Sequence, residues 1–334
     1  MKAALIKQTI KALFPIQRTL CIEGAPGGGK TTIVHEAAKE LGVECRELHM
    51  PTMLVEDFGI LFPCEGSNKL HYKVPEWFPD ADDPATPEKG ILLFDDRNQA
   101  TPDLQKVLAN ICQARTLHGH RLPDGWMVIS TGNRMSDRAG ANRVLSHLRN
   151  RETVVEFETD VDDWIDWAAK NGVKPEVIAY IKFRPDMLHP FDPTAAQNPT
   201  PRSWVEGVSA VLGIVPKDAE ADCFKGAVGE AAMLEFCGFL KVYRELPDLD
   251  DILKAPDMAR IPQELSAKYA ITAALAYRAA NDTFDAHVTY LERIASEYTV
   301  LYMKMAYSLG KNVDKAPRNA EMIRKYSAVI LGIR

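Results

Sequence analysis

The chain has 334 residues, 46% of them hydrophobic and 26% charged, with a formal net charge of −6. That length accommodates about two domains at ~100–200 residues each, and the balance is ordinary for a globular protein. The negative balance disfavours a general nucleic-acid binder, and no uninterrupted apolar stretch reaches the ~20 residues a membrane helix needs. The six cysteines form no C-x-x-C pair and no zinc spacing. With no signal-type apolar core at the N-terminus, a reducing, cytoplasmic setting is expected.

In chain order, residues 1–14 read as a short amphipathic helix that stops before Pro15. Thr19-Leu20-Cys21-Ile22 is an apolar run suited to a buried strand. Next comes Gly24-Ala25-Pro26-Gly27-Gly28-Gly29-Lys30-Thr31, which is G-x-x-x-x-G-K-[ST], followed by Thr32. Glycines let the backbone curl so that several N–H groups face one anion. Lys30 supplies a cation for β- and γ-phosphates, and Thr31 offers a hydroxyl to Mg²⁺. Beyond it, Ile33, Val34, Ala37, Ala38 and Leu41 recur at helical spacing and Gly42 stops the helix. The loop therefore sits between a strand and a helix, whose N-terminus favours anions.

Val43 to Met50 reads as a second strand, ended by Pro51. Residues 64–89 are rich in Pro, Asp and Gly, with a hairpin signal around Leu70-His71-Tyr72-Lys73-Val74. Ile91-Leu92-Leu93-Phe94 is a doubly buried strand that ends in Asp95-Asp96. Asp95 stands where a phosphate loop needs its metal carboxylate, and Asp96 can orient and deprotonate an attacking water. Residues 101–115 form a helix with Leu104, Val107, Leu108 and Ile111 on one face. Trp126 to Ser130 is a further buried strand. After it, Asn133 emerges at the carboxyl edge of the sheet, where an amide can hold a water or a phosphate oxygen. Strands alternating with helices imply a parallel sheet. From about residue 161 only helical segments follow. The division expected is an α/β domain over 1–160, a helical lid over 161–270 and a helical extension over 271–334. The stripe Tyr290, Leu291, Ile294, Tyr298, Val300 and Leu301 reads as core.

The order of these parts resembles the AAA+ ATPases, and among them the MoxR group. Glu23 to Thr32 resembles the Walker A segment. Asp95-Asp96-Arg97-Asn98-Gln99-Ala100 stands in the place of D-E-I-N-R-A. Arg115 to Pro123 resembles the hairpin before the sensor strand, and Ser130-Thr131-Gly132-Asn133 the A-T-x-N sensor 1. Leu148-Arg149-Asn150-Arg151 matches L-x-N-R, in a basic stretch with Arg143, and Thr200-Pro201-Arg202-Ser203 resembles the S-P-R sensor 2. The segment His49 to Asp57, with the insertion after it, falls where the group places its helix-2 insert.

The resemblance implies a P-loop NTPase that uses ATP and Mg²⁺ and assembles as a homo-oligomer, usually a hexameric ring. It implies a remodelling or chaperone-like role on a protein client, with a von Willebrand factor A domain protein as a partner in the group. Arg151, with Arg149 as its substitute, would act as the arginine finger in the neighbour's site. Arg202 would contact the γ-phosphate from the lid. A cation at a helix start opposes the helix dipole, which argues for an anionic partner. Asp96 departs from the family's Glu. It is one methylene shorter, so slow hydrolysis is expected, and a ring that binds ATP and barely turns over is the first rival. Gln99 replaces the family's Arg. A small-molecule kinase is opposed by the Asn133, Arg151 and Arg202 order, and a nucleic-acid motor or loader by the net charge.

Overall fold

The computed structural model describes residues 1–134, 144–190, 192, 195–244, 246 and 248–330. Arg143 lies outside them. Two compact units are present, Met1–Thr159 and Asp160–Arg334.

The first unit opens with helix α1 (Ala3–Leu13) and strand β1 (Leu20–Glu23), then α2 (Lys30–Leu41) and β2 (Glu44–His49). A small antiparallel hairpin follows, β3 (Ile60–Pro63) with β4 (Leu70–Lys73). Next come β5 (Lys89–Asp95), α3 (Pro102–Ala114) and a second tiny hairpin, β6 (Thr116–Leu117) with β7 (His120–Arg121). His118 and Gly119, between those two strands, both have positive φ, the backbone twist that closes a two-residue hairpin. The unit ends with β8 (Gly125–Gly132), the short helix α4 (Ser146–Arg149) and β9 (Thr153–Glu156).

The main sheet has five strands in the order β2-β5-β8-β1-β9, and every neighbouring pair is parallel. Alternation along the strands divides the core into two layers. Ile91 and Leu93 of β5 pack with Met127 and Ile129 of β8 and with Ile33 and Val34 of α2. Leu92 and Phe94 pack with Trp126, Val128 and with Leu104 and Leu108 of α3. A strand covered on both faces needs apolar side chains in both directions, which is why β5 and β8 read as continuous apolar runs. Register does the remaining work. Glu23 pairs with Gly132, Phe94 with Ser130, and His49 with Asp95. The ends of β1, β5, β8 and β2 thus reach the same edge, the carboxyl edge where open α/β sheets bind ligands.

Two strands departed from the sequence expectation. β9 carries polar and half-buried residues at the sheet's edge, so it lacks an apolar run. β3 is exposed along its whole length and, among the described residues, pairs only with β4.

The second unit is helical. Its described helices are α5 (Val161–Lys170), α6 (Pro175–Phe183), α7 (Lys217–Val228), α8 (Glu230–Arg244), α9 (Leu249–Lys254), α10 (Leu265–Tyr277), α11 (Phe284–Glu292), α12 (Ser296–Ser308) and α13 (Asn319–Ile330). A π-helical segment, Ser203–Ser209, precedes α7. One apolar core draws on residues from Trp164 to Met322, and position 270 falls inside the buried helix α10, which packs on both α6 and α12. Tyr290, Leu291, Tyr298, Val300 and Leu301 are buried in the unit. Among the described residues no helix is long and apolar enough to cross a membrane.

His287 of α11 is fully buried, with Nδ1 3.0 Å from the Tyr302 hydroxyl. Burial first, and the Arg278 charge after it, push its pKa down from 6.5 to about 4. The native state therefore holds His287 neutral while the unfolded chain protonates near 6.5. Below that value the unfolded state binds more protons, so stability falls as pH drops from 6.5 toward 4. The full effect is about 3 kcal/mol. Denaturant melts of wild type and His287→Gln at pH 7 and pH 4.5 should show a clearly shallower acid loss in the variant.

Candidate phosphate-binding and carboxylate site

The loop between β1 and α2 has the backbone its glycines allow. Gly29, just before α2, has φ +99°, a region L side chains rarely adopt. Gly24 lies so close to Phe157 that a Cβ there would meet the Phe157 carbonyl oxygen at 3.0 Å. Lys30 is 6% exposed. Its ammonium donates to the carbonyl oxygens of Gly24 (3.1 Å) and Ala25 (3.0 Å) and to Asn133 Oδ1 (2.9 Å). The cation is thus held over the concavity of its own loop. Thr31 and Thr32 lie in the first turn of α2, with Thr32 exposed.

Asp95 ends β5. Its Oδ1 accepts from the hydroxyls of both Thr31 and Thr131, each at 2.6 Å. Neighbouring ligands on an octahedral Mg²⁺ with ~2.0–2.1 Å bonds stand about 2.9 Å apart. Thr31 and Asp95 need to separate only slightly to share such an ion, so this hard oxygen pair suits it.

Asp96 has φ 53° and ψ 44°, a left-handed conformation that Asp tolerates better than most residues. The Asp96 N–H donates to Thr131 Oγ1 at 2.9 Å. Its carboxylate accepts from Asn133 Nδ2 (3.3 Å) and from Gln99 Nε2 (3.2 Å). Gln99 therefore serves the site in the position where the family pattern has Arg. Asn133 bridges the Lys30 ammonium with its amide oxygen and the Asp96 carboxylate with its amide nitrogen. That amide orientation is the one in which both partners find the group they require. Asn98, 2% exposed, fixes the bridge from behind. Its side chain donates to the Asn133 carbonyl (2.7 Å) and accepts from the Asn133 N–H (3.2 Å).

Sequence reasoning missed Thr131, Asn98 and Gln99 as partners, and with them a charged cluster beneath the site. Arg97 is 0% exposed. Its Nη2 donates to Glu23 Oε1 (3.0 Å), and its Nε donates to Ser130 Oγ (3.1 Å) and lies 3.1 Å from Glu152 Oε2. Ser130 in turn donates to Glu152 Oε1 at 2.6 Å. Burial raises the pKa of Glu152 despite the Arg97 charge, and burial pushes the neighbouring Cys21 thiol up to about 12. One signal was available in the sequence. Arg97 follows a doubly buried strand, where a charge demands a partner, and Glu23 ends another strand.

The arginines divide. Arg149 is half exposed and its Nη2 lies 3.5 Å from Glu23 Oε2, within its own chain. Arg151 sits between α4 and β9, half buried. Arg202 belongs to the second unit. It is exposed at the start of a helical segment capped reciprocally by Thr200 and Ser203, the Thr200 N–H donating to Ser203 Oγ at 2.9 Å and the Ser203 N–H to Thr200 Oγ1 at 3.0 Å.

The parallel five-stranded sheet, the phosphate loop between β1 and α2 and the carboxylate at the end of β5 define a P-loop NTPase fold, followed by a helical region. Residues 20–155 match the model of the ATPase family associated with various cellular activities (AAA). No curated protein matches the chain. Solved structures that it is similar to include NtrX from Brucella abortus in complex with ATP, at 15% identity over 99% of this chain and 68% of that one, with a TM-score of 0.42. Another is the RuvB Holliday junction branch migration motor of Thermotoga maritima, at 15% identity over 99% of this chain and 87% of that one, with a TM-score of 0.40.

Truncating Arg97 strands the buried Glu152. Arg97→Ala should cost about 3–5 kcal/mol, as for other buried pairs that lose one partner. Arg97→Leu with Glu152→Gln should recover much of the loss. Urea titration of the full chain measures both.

Proposed function

We propose that the chain is an ATP-hydrolysing AAA+ enzyme of the MoxR type. In this reading it works as a homo-oligomeric ring, of six subunits by the family pattern, and remodels a protein client, with a von Willebrand factor A domain protein as the candidate partner. The observation that carries the proposal is the Lys30–Asn133–Asp96 bridge beside the Thr31–Asp95 pair. A phosphate cation, a neutral amide, a carboxylate and two hard metal ligands stand together at one sheet edge. That is the set that phosphoanhydride hydrolysis requires.

When nucleotide enters, Lys30 exchanges the loop carbonyls of Gly24 and Ala25 for phosphate oxygens, and the loop N–H groups close around the anion. Thr31 and Asp95 would hold magnesium, which would supply charge neutralisation to the phosphates. Asn133 is placed to hold the attacking water or a γ-phosphate oxygen without adding charge. Asp96 takes the proton from that water. Arg151 or Arg149 of a neighbouring subunit stabilises the charge that develops on the transferring group. Arg149 must first leave Glu23, which favours Arg151 for that role. Arg202 couples nucleotide state to the helical unit.

The slowly hydrolysing ring remains the second reading, because Asp96 has the shorter reach. The Gln99 and Asn133 amides on its carboxylate weigh against that reading, since they fit the site to Asp.

Two substitutions separate binding from chemistry. Lys30→Ala should abolish tight Mg·ATP binding in isothermal titration. Asp96→Asn should keep ATP affinity within about threefold and lower turnover by ~10²–10⁴, the usual worth of a general base. Unchanged turnover in Asp96→Asn would remove the base assignment, and undiminished ATP affinity in Lys30→Ala would remove the phosphate-loop reading.

The trans role has its own test. Arg151→Ala and Asp95→Ala proteins, each inactive, are mixed under conditions where labelled subunits exchange. Activity should return in mixed rings, since an intact Arg151 then faces an intact Asp95. Exchange without recovery at any ratio would pass the role to Arg149.

A further inference from the structure

His49 closes β2 directly opposite Asp95 in the β2–β5 register. Paired residues on adjacent strands stand ~4.8 Å apart and point to the same side, so the register alone puts an imidazole beside this carboxylate. The Nδ1 of His49 lies 3.5 Å from Asp95 Oδ2, too far for a hydrogen bond and close enough for a shared ion. Ligand atoms of His49, Asp95 and Asp96 all lie within 4.8 Å of one another. Ligands on a first-row divalent ion with ~2.0–2.2 Å bonds are about 3 Å apart when adjacent and about 4.3 Å when opposite. Small side-chain motions therefore suffice, and the half-exposed His49 ring can make them.

The two oxygens of Asp95 are divided between tasks. Oδ1 is engaged by the Thr31 and Thr131 hydroxyls, on the side of the phosphate loop. Oδ2 faces His49. The backbone of His49 is itself pinned, since its carbonyl accepts from Thr52 Oγ1 at 2.9 Å. An all-oxygen site suits hard ions such as Mg²⁺, whereas an added imidazole nitrogen tilts the preference from Mg²⁺ toward first-row transition metals.

We propose that His49, Asp95 and Asp96 form a mixed nitrogen–oxygen site for a first-row transition-metal dication, which makes His49 the residue that sets the metal preference of this cleft. The site deepens the reading of the same cleft, yet it needs no nucleotide to be filled. Its occupant would add a divalent positive charge beside the Asp95 carboxylate and compete with Asn133 and Gln99 for Asp96.

The test uses the nucleotide-free full chain and Mn²⁺ alone as the probe. Loss of the free Mn²⁺ electron paramagnetic resonance signal should report one bound ion per chain, displaced only by a large excess of Mg²⁺. Electron spin echo modulation should show a ¹⁴N nucleus coupled to it. His49→Ala should weaken Mn²⁺ binding at least tenfold and erase the ¹⁴N signal, while Mg²⁺ affinity changes less than threefold. Circular dichroism checks that the variant is folded, and His49→Gln, which keeps the size of the side chain, should behave like His49→Ala. Wild-type protein that binds no Mn²⁺, or His49 variants that bind it as wild type does, would overturn the site. A parallel Mg·ATP titration separates the two readings. ATP binding without a His49-dependent Mn²⁺ site overturns only this inference. Mn²⁺ binding through His49 without ATP binding overturns only the nucleotide reading.

Discussion

The site is organised around the amide of Asn133, which touches a buried ammonium with its oxygen and a carboxylate with its nitrogen. A charged side chain in its place would oppose one of the two partners, and an apolar one would leave both without this contact. The bridge sets the distance between the phosphate loop and the carboxylate turn after β5. It exists because three parallel strands end at one level. Glu23 of β1 pairs with Gly132 of β8, and Phe94 of β5 pairs with Ser130. A slip of one residue in either pairing would turn the side chains to the opposite face and break the contact. Asn98 holds the Asn133 backbone in place, so the geometry is stiff where reactivity would need it stiff.

Beneath this bridge the chain keeps a buried arginine between two glutamates. Such a cluster is a poor source of stability, because desolvation offsets most of its attraction. Its value is positional. Arg97 follows β5, Glu23 ends β1, Ser130 lies in β8 and Glu152 precedes β9, so the cluster ties four adjacent strands together just below the reactive edge. Glu23 also meets Arg149. One carboxylate therefore links the structural cluster to an arginine with a proposed role at a neighbouring subunit's site. The Asp95 carboxylate makes a related division, with one oxygen on the threonine hydroxyls and the other facing His49.

Much of this was legible in the residues alone. The phosphate loop, the buried runs of β1, β5 and β8, the helices α2 and α3 and the carboxylates at Asp95 and Asp96 all rest on local pattern. Glycine spacing, apolar runs and helical periodicity are properties of short segments, and short segments fold much as their neighbours within a few residues dictate. What tertiary structure decided is which chain ends meet. β9 has no apolar signature, because an edge strand is only half covered. Thr131 looked like part of a strand end until Asp95 was placed beside it. Arg97 stood in the sequence only as one member of the segment after β5, and the fold supplied its partners Glu23, Ser130 and Glu152, just as His49 meets Asp95 only through strand pairing. These contacts join segments far apart in sequence, and hydrogen bonds between them depend on strand order and register, which no local periodicity encodes.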